Sequence, residues 1–502
     1  MLPEYMKIEI HGEKIGSVSP EQNKSRIIIK GQEYCFENAM VLPGLADAHL
    51  HFFGIGEAAQ MPDFRNCKSE DEVLNALLRK PFQRGDWLVG FGWNQENFTS
   101  KKYPHKHIFD KAFPDIPVFL KRIDGHAALL NSYALELLGI SESSPSPEGG
   151  KIEKDANGEL TGILVDTAMD IAINRLPFYS EEQIRNIIGW SQEYLFSLGL
   201  TEVIDMDLEP RLIPYFKKFD YDGFLKMRVN AFVKSQNNEH KDSVKSPYFG
   251  NNFSIRGLKL YVDGALGSRG AALKSSYADD FGNTGLILMK KEEIVKRINE
   301  AISQELAVAV HSIGDKGAEI VLDAFNEVIS SNPNAIQKFY EKRRELPLRL
   351  EHCQIISSDD FSKFASGLIG ASIQPIHYTS DTTNMMAQKR LGETRMKDAY
   401  RWKSLKATNA KLLAGSDAPI ESPDPFLGIR ALTNENRPDE KTTLAEAFDA
   451  YTVNIQKSLG NYPARGIIKM GNDADLVIIS GSQQVLCTIS HGQIVFRNEA
   501  RK

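Results

Sequence analysis

Cysteine is scarce. Four occur in 502 residues, Cys35, Cys67, Cys353 and Cys487, far apart and without a CxxC pair. That excludes a disulfide framework and a cysteine-based zinc site. Positive charge is not in excess either. Sixty lysines and arginines stand against 66 acidic residues, a net −6. A general basic surface for nucleic acid or anionic lipid is absent, so neither partner is expected. No run reaches the roughly 18 apolar residues of a membrane span. Residues Met1 to Lys7 lack the apolar core of a signal peptide. A soluble, reducing, cytoplasmic setting is the expectation, with a homodimer left open. Metal chemistry, if any, must rest on carboxylates and the eleven histidines.

What is present is an ordinary globular composition, 42% hydrophobic and 25% charged, enough to bury a large core. Short β-like segments occupy both ends: Lys7–Ile10 and Arg26–Ile29 near the start, Asp475–Ile479 and Gln493–Phe496 near the finish. They predict one discontinuous β-sandwich-like domain from residues 1–46 and 464–502. The middle, 47–463, alternates apolar runs with helix-like spacing. Ala307–Val310, Leu348–Leu350 and Lys411–Ala414 read as strands and Ala318–Phe325 as helix, the rhythm of parallel βα units. A (β/α)₈ TIM-type barrel fits the number of units better than an open sheet. Residues 60–170 or so break the rhythm and read as an insertion.

Histidines fall where a barrel would use them. His49 and His51 flank Leu50, and residues i and i+2 of an extended segment share a face. The pair His105 and His107, between proline and lysines, reads instead as a solvated loop. His311 follows the run 307–310, His352 follows Arg349-Leu350-Glu351, and Asp417 follows Leu412–Ser416. Each alone could be a core histidine or a turn residue. Strand C-termini of a β/α barrel converge on one site, which makes their shared address informative. In Leu258–Gly264, alternation sets Lys259, Tyr261 and Asp263 opposite the apolar face. Lys259 then points into the barrel, either paired with a carboxylate such as Asp263 or carboxylated to a metal-bridging carbamate. Gly264, Gly267 and Gly270 lack Walker spacing and read as a tight loop after a strand.

Together these motifs resemble the amidohydrolase superfamily, and their local wording resembles its amidohydrolase 3 (YtcJ-like) branch. The matching stretches are Leu42–His49, Lys259–Gly264 with Gly267–Arg269, His311–Asp315, Leu350–Gln354, Ser372–His377, Ala414–Pro419 and Lys469–Leu476. The resemblance implies a (β/α)₈ barrel with a β-domain made from both ends. It implies one or two divalent metal ions, zinc foremost, held by His49, His51, His311, His352 and Asp417. Lys259 matches the position of the N6-carboxylated bridging lysine of binuclear members.

That ligand set suits hydrolysis of a non-peptide C–N bond, an amide first. An open metal position lowers the pKa of bound water, and Asp417 can accept the water proton and deliver it to the leaving nitrogen. Arg122 to His126, followed by Asn131-Ser132, resembles a family segment associated with the pocket. His126 either binds the substrate or ties the insertion to the barrel, and His377 poses the same choice. Trp93 is an aromatic wall or an insertion-core residue. Arg269 is a candidate for an anionic substrate end. Two other readings remain open: a hydrolytic deaminase of the same superfamily, although Gly314-Asp315 stands where a His-x-x-Glu arrangement is wanted, and a non-catalytic barrel scaffold.

Overall fold

The computed structural model describes residues 4–123, 125–434 and 439–498; Asp124 of the pocket segment lies outside them. The chain forms two compact units, one from Met1–Phe52 with Gly189–Lys502 and one from Phe53–Ile188.

The first unit contains the barrel. Its strands are β1 (Leu45–Leu50), β2 (Leu200–Leu208), β3 (Arg228–Lys234), β4 (Phe253–Tyr261), β5 (Ala307–Ser312), β6 (Leu348–His352), β7 (Ile369–Ile373) and β8 (Lys411–Ala414). All are parallel and hydrogen-bonded in chain order. Their apolar side chains are buried almost throughout, as strands covered on both faces require. No regular ladder joins β8 to β1. The ring is closed near the C-terminal ends by single bonds: Asp417 N–H donates to the His49 carbonyl at 2.6 Å and His51 N–H to the Ala418 carbonyl at 2.8 Å. The Asp47 carboxylate accepts from the backbone N–H of His49 and of Ser416, 2.9 and 3.2 Å.

Helices α1 (Lys291–Ser303), α2 (Asp315–Ser331) and α3 (Pro375–Thr383) follow β4, β5 and β7. The expected eightfold repeat has a gap. Residues 235–252 between β3 and β4 carry turns and a two-residue strand, Tyr248–Phe249, antiparallel to β4, but no helix. No helix among the described residues is long and apolar enough to cross a membrane.

Both chain ends form four-stranded sheets in this same unit. Met6–His11, Lys14–Pro20, Lys24–Ile29 and Gln32–Glu37 make one; Ala39–Pro43 makes the other with Leu476–Ser480, Val485–Ser490 and Gln493–Arg497. Met6, Ile8 and Ile10 are buried while Lys7 and Glu9 are half-exposed, the period-two pattern of a strand with one covered face. Ile8, Ile27, Val41, Leu476, Ile478 and Ile489 share one core.

The second unit has its own six-stranded sheet, built on Gly150–Lys154, Leu160–Asp166, Ala127–Leu130, Val118–Arg122, Trp87–Trp93 and Gln83–Arg84 in that order. Phe64, Leu77, Trp93, Phe98, Phe109 and Leu120 fill its core. It runs over Phe53–Ile188, against the insertion of about 60–170 read from the sequence. The solvated-loop reading of His105 and His107 needs correction. His107 is exposed but opens a helix, His107–Ala112, and His105 N–H is bound by the Glu70 carboxylate.

Candidate metal centre

The C-terminal ends of β1, β5, β6 and β8 place His49, His51, His311, His352 and Asp417 together. Ligand atoms of His49, His352 and Asp417 all lie within 4.8 Å of one another. Asp417 Oδ1 is 3.1 Å from His51 Nε2 and 3.4 Å from His49 Nε2, and its Oδ2 is 3.7 Å from His377 Nε2. The His311 and His352 rings meet edge to face with centroids 4.3 Å apart, and the His49 and His352 centroids are 4.9 Å apart. His352 and Asp417 both adopt left-handed backbone, φ 77° and 61°. Such conformations cost roughly 1–3 kcal/mol each and persist where surrounding structure holds them, often at functional sites.

The His49 ring is aimed by a neighbour. Glu351, wholly buried on β6, accepts from His49 Nδ1 at 2.6 Å, which turns His49 Nε2 toward Asp417. Arg349 donates to Glu351 through Nε at 2.8 Å and to the Ala48 carbonyl at 2.8 Å. Burial alone would raise the Glu351 pKa, but the Arg349 charge and the His49 bond hold it far below the usual carboxylate range. Carboxylate partners of this kind fix the tautomer of metal-binding histidines. Asp263 accepts from the N–H groups of Ala272, Ile313 and Gly314, 2.8 to 3.0 Å, anchoring the loops after β4 and β5. The first of those loops also closes on itself, Gly264 N–H bonding the Gly270 carbonyl.

Several buried polar atoms in this region have no hydrogen-bond partner: Lys259 Nζ, His311 Nε2, His352 Nδ1 and His377 Nε2. Lys259 does not pair with Asp263, whose bonds go to backbone. Its ammonium lies 5.1 Å from the Tyr261 ring, and burial lowers its pKa. Burial likewise pushes His311 down to about 3 and His352 well below its ordinary value, so both imidazoles are neutral. Asp417 stays ionised, because bonds from His49 and His51 outweigh its desolvation. Neutral imidazoles, an ionised carboxylate and partnerless buried atoms are what a divalent cation needs. The residues present therefore fit a metal.

The other expected residues have varied positions. His377, on α3, borders Asp417. Arg269 is already bidentate on Asp279, 3.2 and 3.0 Å. Trp93, Arg122 and His126 belong to the second unit. Trp93 is fully buried there, its indole N–H donating to the Leu120 carbonyl at 2.7 Å, so it is a core residue and not a pocket wall. Arg122 bonds Gln95 at 2.8 Å, and His126 bonds Asp166 at 3.0 Å on the surface. Asp315, at the position where a deaminase would want glutamate, accepts from Lys274 N–H.

Three residues escaped the sequence reading: Glu351 as an orienting group, and Asp205 and Asp207 at the end of β2. Asp205 is buried, accepts from Phe52 N–H at 3.2 Å, and has its pKa pushed up by burial to about 7. Asp207 occupies an irregularity of the β2–β3 pairing with φ 76°. The alternation of Asp205 and Asp207 along the strand was the available signal.

A parallel barrel that gathers imidazoles and an ionised carboxylate at its strand ends defines the class, a metal-dependent hydrolase. The chain belongs to the amidohydrolase family, whose model matches residues 36–496. It is 33% identical to YtcJ of Bacillus subtilis (strain 168) over 93% of this chain and 90% of that protein. It is 25% identical to an N-substituted formamide deformylase of Arthrobacter pascens over 88% of this chain and 83% of that one. An uncharacterized metal-dependent hydrolase from Pyrococcus furiosus superimposes with a TM-score of 0.75 at 28% identity, covering 94% of this chain and 98% of its own.

Proposed function

We propose that the protein hydrolyses a non-peptide C–N bond, an amide, at the C-terminal mouth of the barrel, with Asp417 moving the proton. The observation that carries this is the position of Asp417, whose two oxygens lie 3.1 to 3.7 Å from three imidazoles while the carboxylate stays ionised. The formamide deformylase named above supports an amide as the substrate class.

His49, His51, His311, His352 and Asp417 would hold one or two divalent ions, and nitrogen and oxygen donors of this kind suit zinc. When bound, such an ion supplies Lewis acidity that acidifies water and polarises a carbonyl oxygen. Asp417 then serves as the base that takes the proton from water and the acid that returns it to the departing nitrogen. His377, beside the outer oxygen of Asp417, is placed to hydrogen-bond the carbonyl oxygen as it gains charge. Lys259, a buried amine with no partner, would act as a carbamate: its nitrogen adds to carbon dioxide and loses one proton, leaving an anionic oxygen donor. The Glu351 bond keeps His49 in register throughout.

The test is Asp417→Asn in metal-replete protein, assayed against whichever members of an amide and lactam library the wild type cleaves. Turnover should fall by about 10²–10⁴-fold, the usual worth of a general acid–base group. Near-normal turnover with metal retained would overturn the proton-transfer role.

A further inference from the structure

We propose that Asp381 is a positioning residue for His377, holding that imidazole beside the outer oxygen of Asp417 through its bonds to Gln354 and Tyr400. The inference rests on the reading of this site as an amide hydrolase in which His377 meets the carbonyl oxygen as it gains charge.

His377 and Asp381 stand four residues apart on α3, so they share one face of the helix. The helix follows β7 directly through Gln374, and its first turn has no side-chain cap. The nitrogen of His377 that faces Asp417, Nε2 at 3.7 Å, makes no hydrogen bond that would fix the ring. The His352 ring lies parallel to it but 6.2 Å away between centroids. The place of the imidazole therefore depends on how α3 is set against the strand ends.

Asp381 sets it. Its Oδ2 accepts from Gln354 Nε2 at 2.8 Å and from the Tyr400 hydroxyl, and Gln354 Nε2 also donates to that hydroxyl oxygen at 2.6 Å. Gln354 comes two residues after His352 at the end of β6. Backbone bonds lace this segment to the one that carries Tyr400. Tyr400 N–H donates to the Gln354 carbonyl at 2.7 Å, and Ile356 N–H to the Asp398 carbonyl at 3.2 Å. Gln354 and Tyr400 are buried, so their bonds to the carboxylate are costly to leave unmade. One side chain thus ties the helix of His377 to the strand end that bears His352. Asp381 also lies close enough to His377 for the imidazole charge to act on it. A displacement of about 1 Å in a reacting geometry costs on the order of 10²-fold in rate, so this strut can govern turnover without touching substrate.

The experiment has two arms on zinc-loaded protein. The first measures kcat and KM for whichever members of an amide and lactam library the wild type cleaves. Asp381→Ala should lower kcat about 10–100-fold and leave KM nearly unchanged, the mark of an interaction made only in the transition state. Asp381→Asn should restore most of the loss, since its carbonyl oxygen still accepts from Gln354 and Tyr400. In a His377→Ala background, Asp381→Ala should cost nothing further, because the group it positions is gone. The second arm reads position without turnover, by nuclear magnetic resonance of protein carrying isotope-labelled histidine. The His377 signal, assigned by its loss in His377→Ala, should shift or broaden in Asp381→Ala and return in Asp381→Asn, while His11 and His491 stay unmoved. An equal loss of kcat in both backgrounds, a kcat untouched by Asp381→Ala, or an unmoved His377 signal overturns the positioning role and leaves the amide reading intact. A His377 signal that responds as stated while no amide is cleaved overturns the amide reading and leaves the strut.

Discussion

At the N-terminal end of the barrel, Arg228 donates to Asp475 at 2.6 Å and to His491 at 3.1 Å, leaving only its Nε without a partner. Arg465 binds Asp473 at 2.7 Å and reaches Glu202 at 3.4 Å, while Glu202 also accepts from Asn230 and Gln456. This network ties the barrel floor to the strands from the chain ends. At the opposite end, similar residue types are left incomplete. Lys259 Nζ, His311 Nε2 and His352 Nδ1 have no hydrogen-bond partner. The contrast divides labour as in other β/α barrels, where the bottom face serves stability and the top face serves chemistry. Charges that satisfy one another hold the fold, and charges left unsatisfied are ready to hold something else.

The comparison breaks most visibly at the base. Arg228→Met should leave the Asp475 carboxylate with the His491 N–H but without its guanidinium partner and lower stability by up to about 3–5 kcal/mol, the cost of removing one partner of a buried pair. Denaturant unfolding would show it, and metal content measured on the folded fraction should be unchanged. A variant that kept its stability but lost metal would reverse the assignment of the two ends. At the mouth, Glu351→Gln leaves His49 without its anionic partner. Metal affinity should fall about 10–100-fold, read by competition with a chelator. An undiminished affinity would show that Glu351 only fills space.

How much of this was legible in the sequence follows from the same division. Parallel strands buried on both faces read as apolar runs, so a histidine or aspartate just after one stands out, as His311 and Asp417 do. The base network was not legible, because Arg228, Asp473 and Glu202 lie far apart in the chain and meet only through topology. Glu351 lay inside a quoted motif, yet its role depends on β6 standing where it can reach His49, a neighbour 302 residues away. The missing helix between β3 and β4 was hidden by an average rhythm that fits eight units. Trp93 could not be placed from sequence, since a tryptophan looks the same in a core and on a pocket wall.

If the mouth is strained for binding, filling it with apolar volume should stabilise the metal-free protein. Lys259→Met removes a buried amine with no partner. Apo stability should rise by about 1–3 kcal/mol, the order of an unsatisfied polar group's burial penalty, while metal uptake falls. A loss of apo stability would mean that Lys259 holds the fold after all.

The smallest effect is a pH slope, and its sign discriminates. His311 in the folded apo protein titrates near pH 3, against about 6.5 when unfolded. Below pH 6.5 the unfolded chain takes up a proton that the folded chain refuses, so this residue makes stability fall as pH falls toward 3. Burial raises Asp47 to about 6 and Asp263 to about 7, and these carboxyls push stability the opposite way. They are present in both wild type and His311→Asn, so the difference between the two isolates the histidine. From pH 7 to pH 5, wild type should lose stability relative to His311→Asn, approaching about 1.4 kcal/mol per pH unit below 6.5. A flat difference would mean that the His311 ring is solvated in the apo protein, and the mouth would then be no drier than the surface.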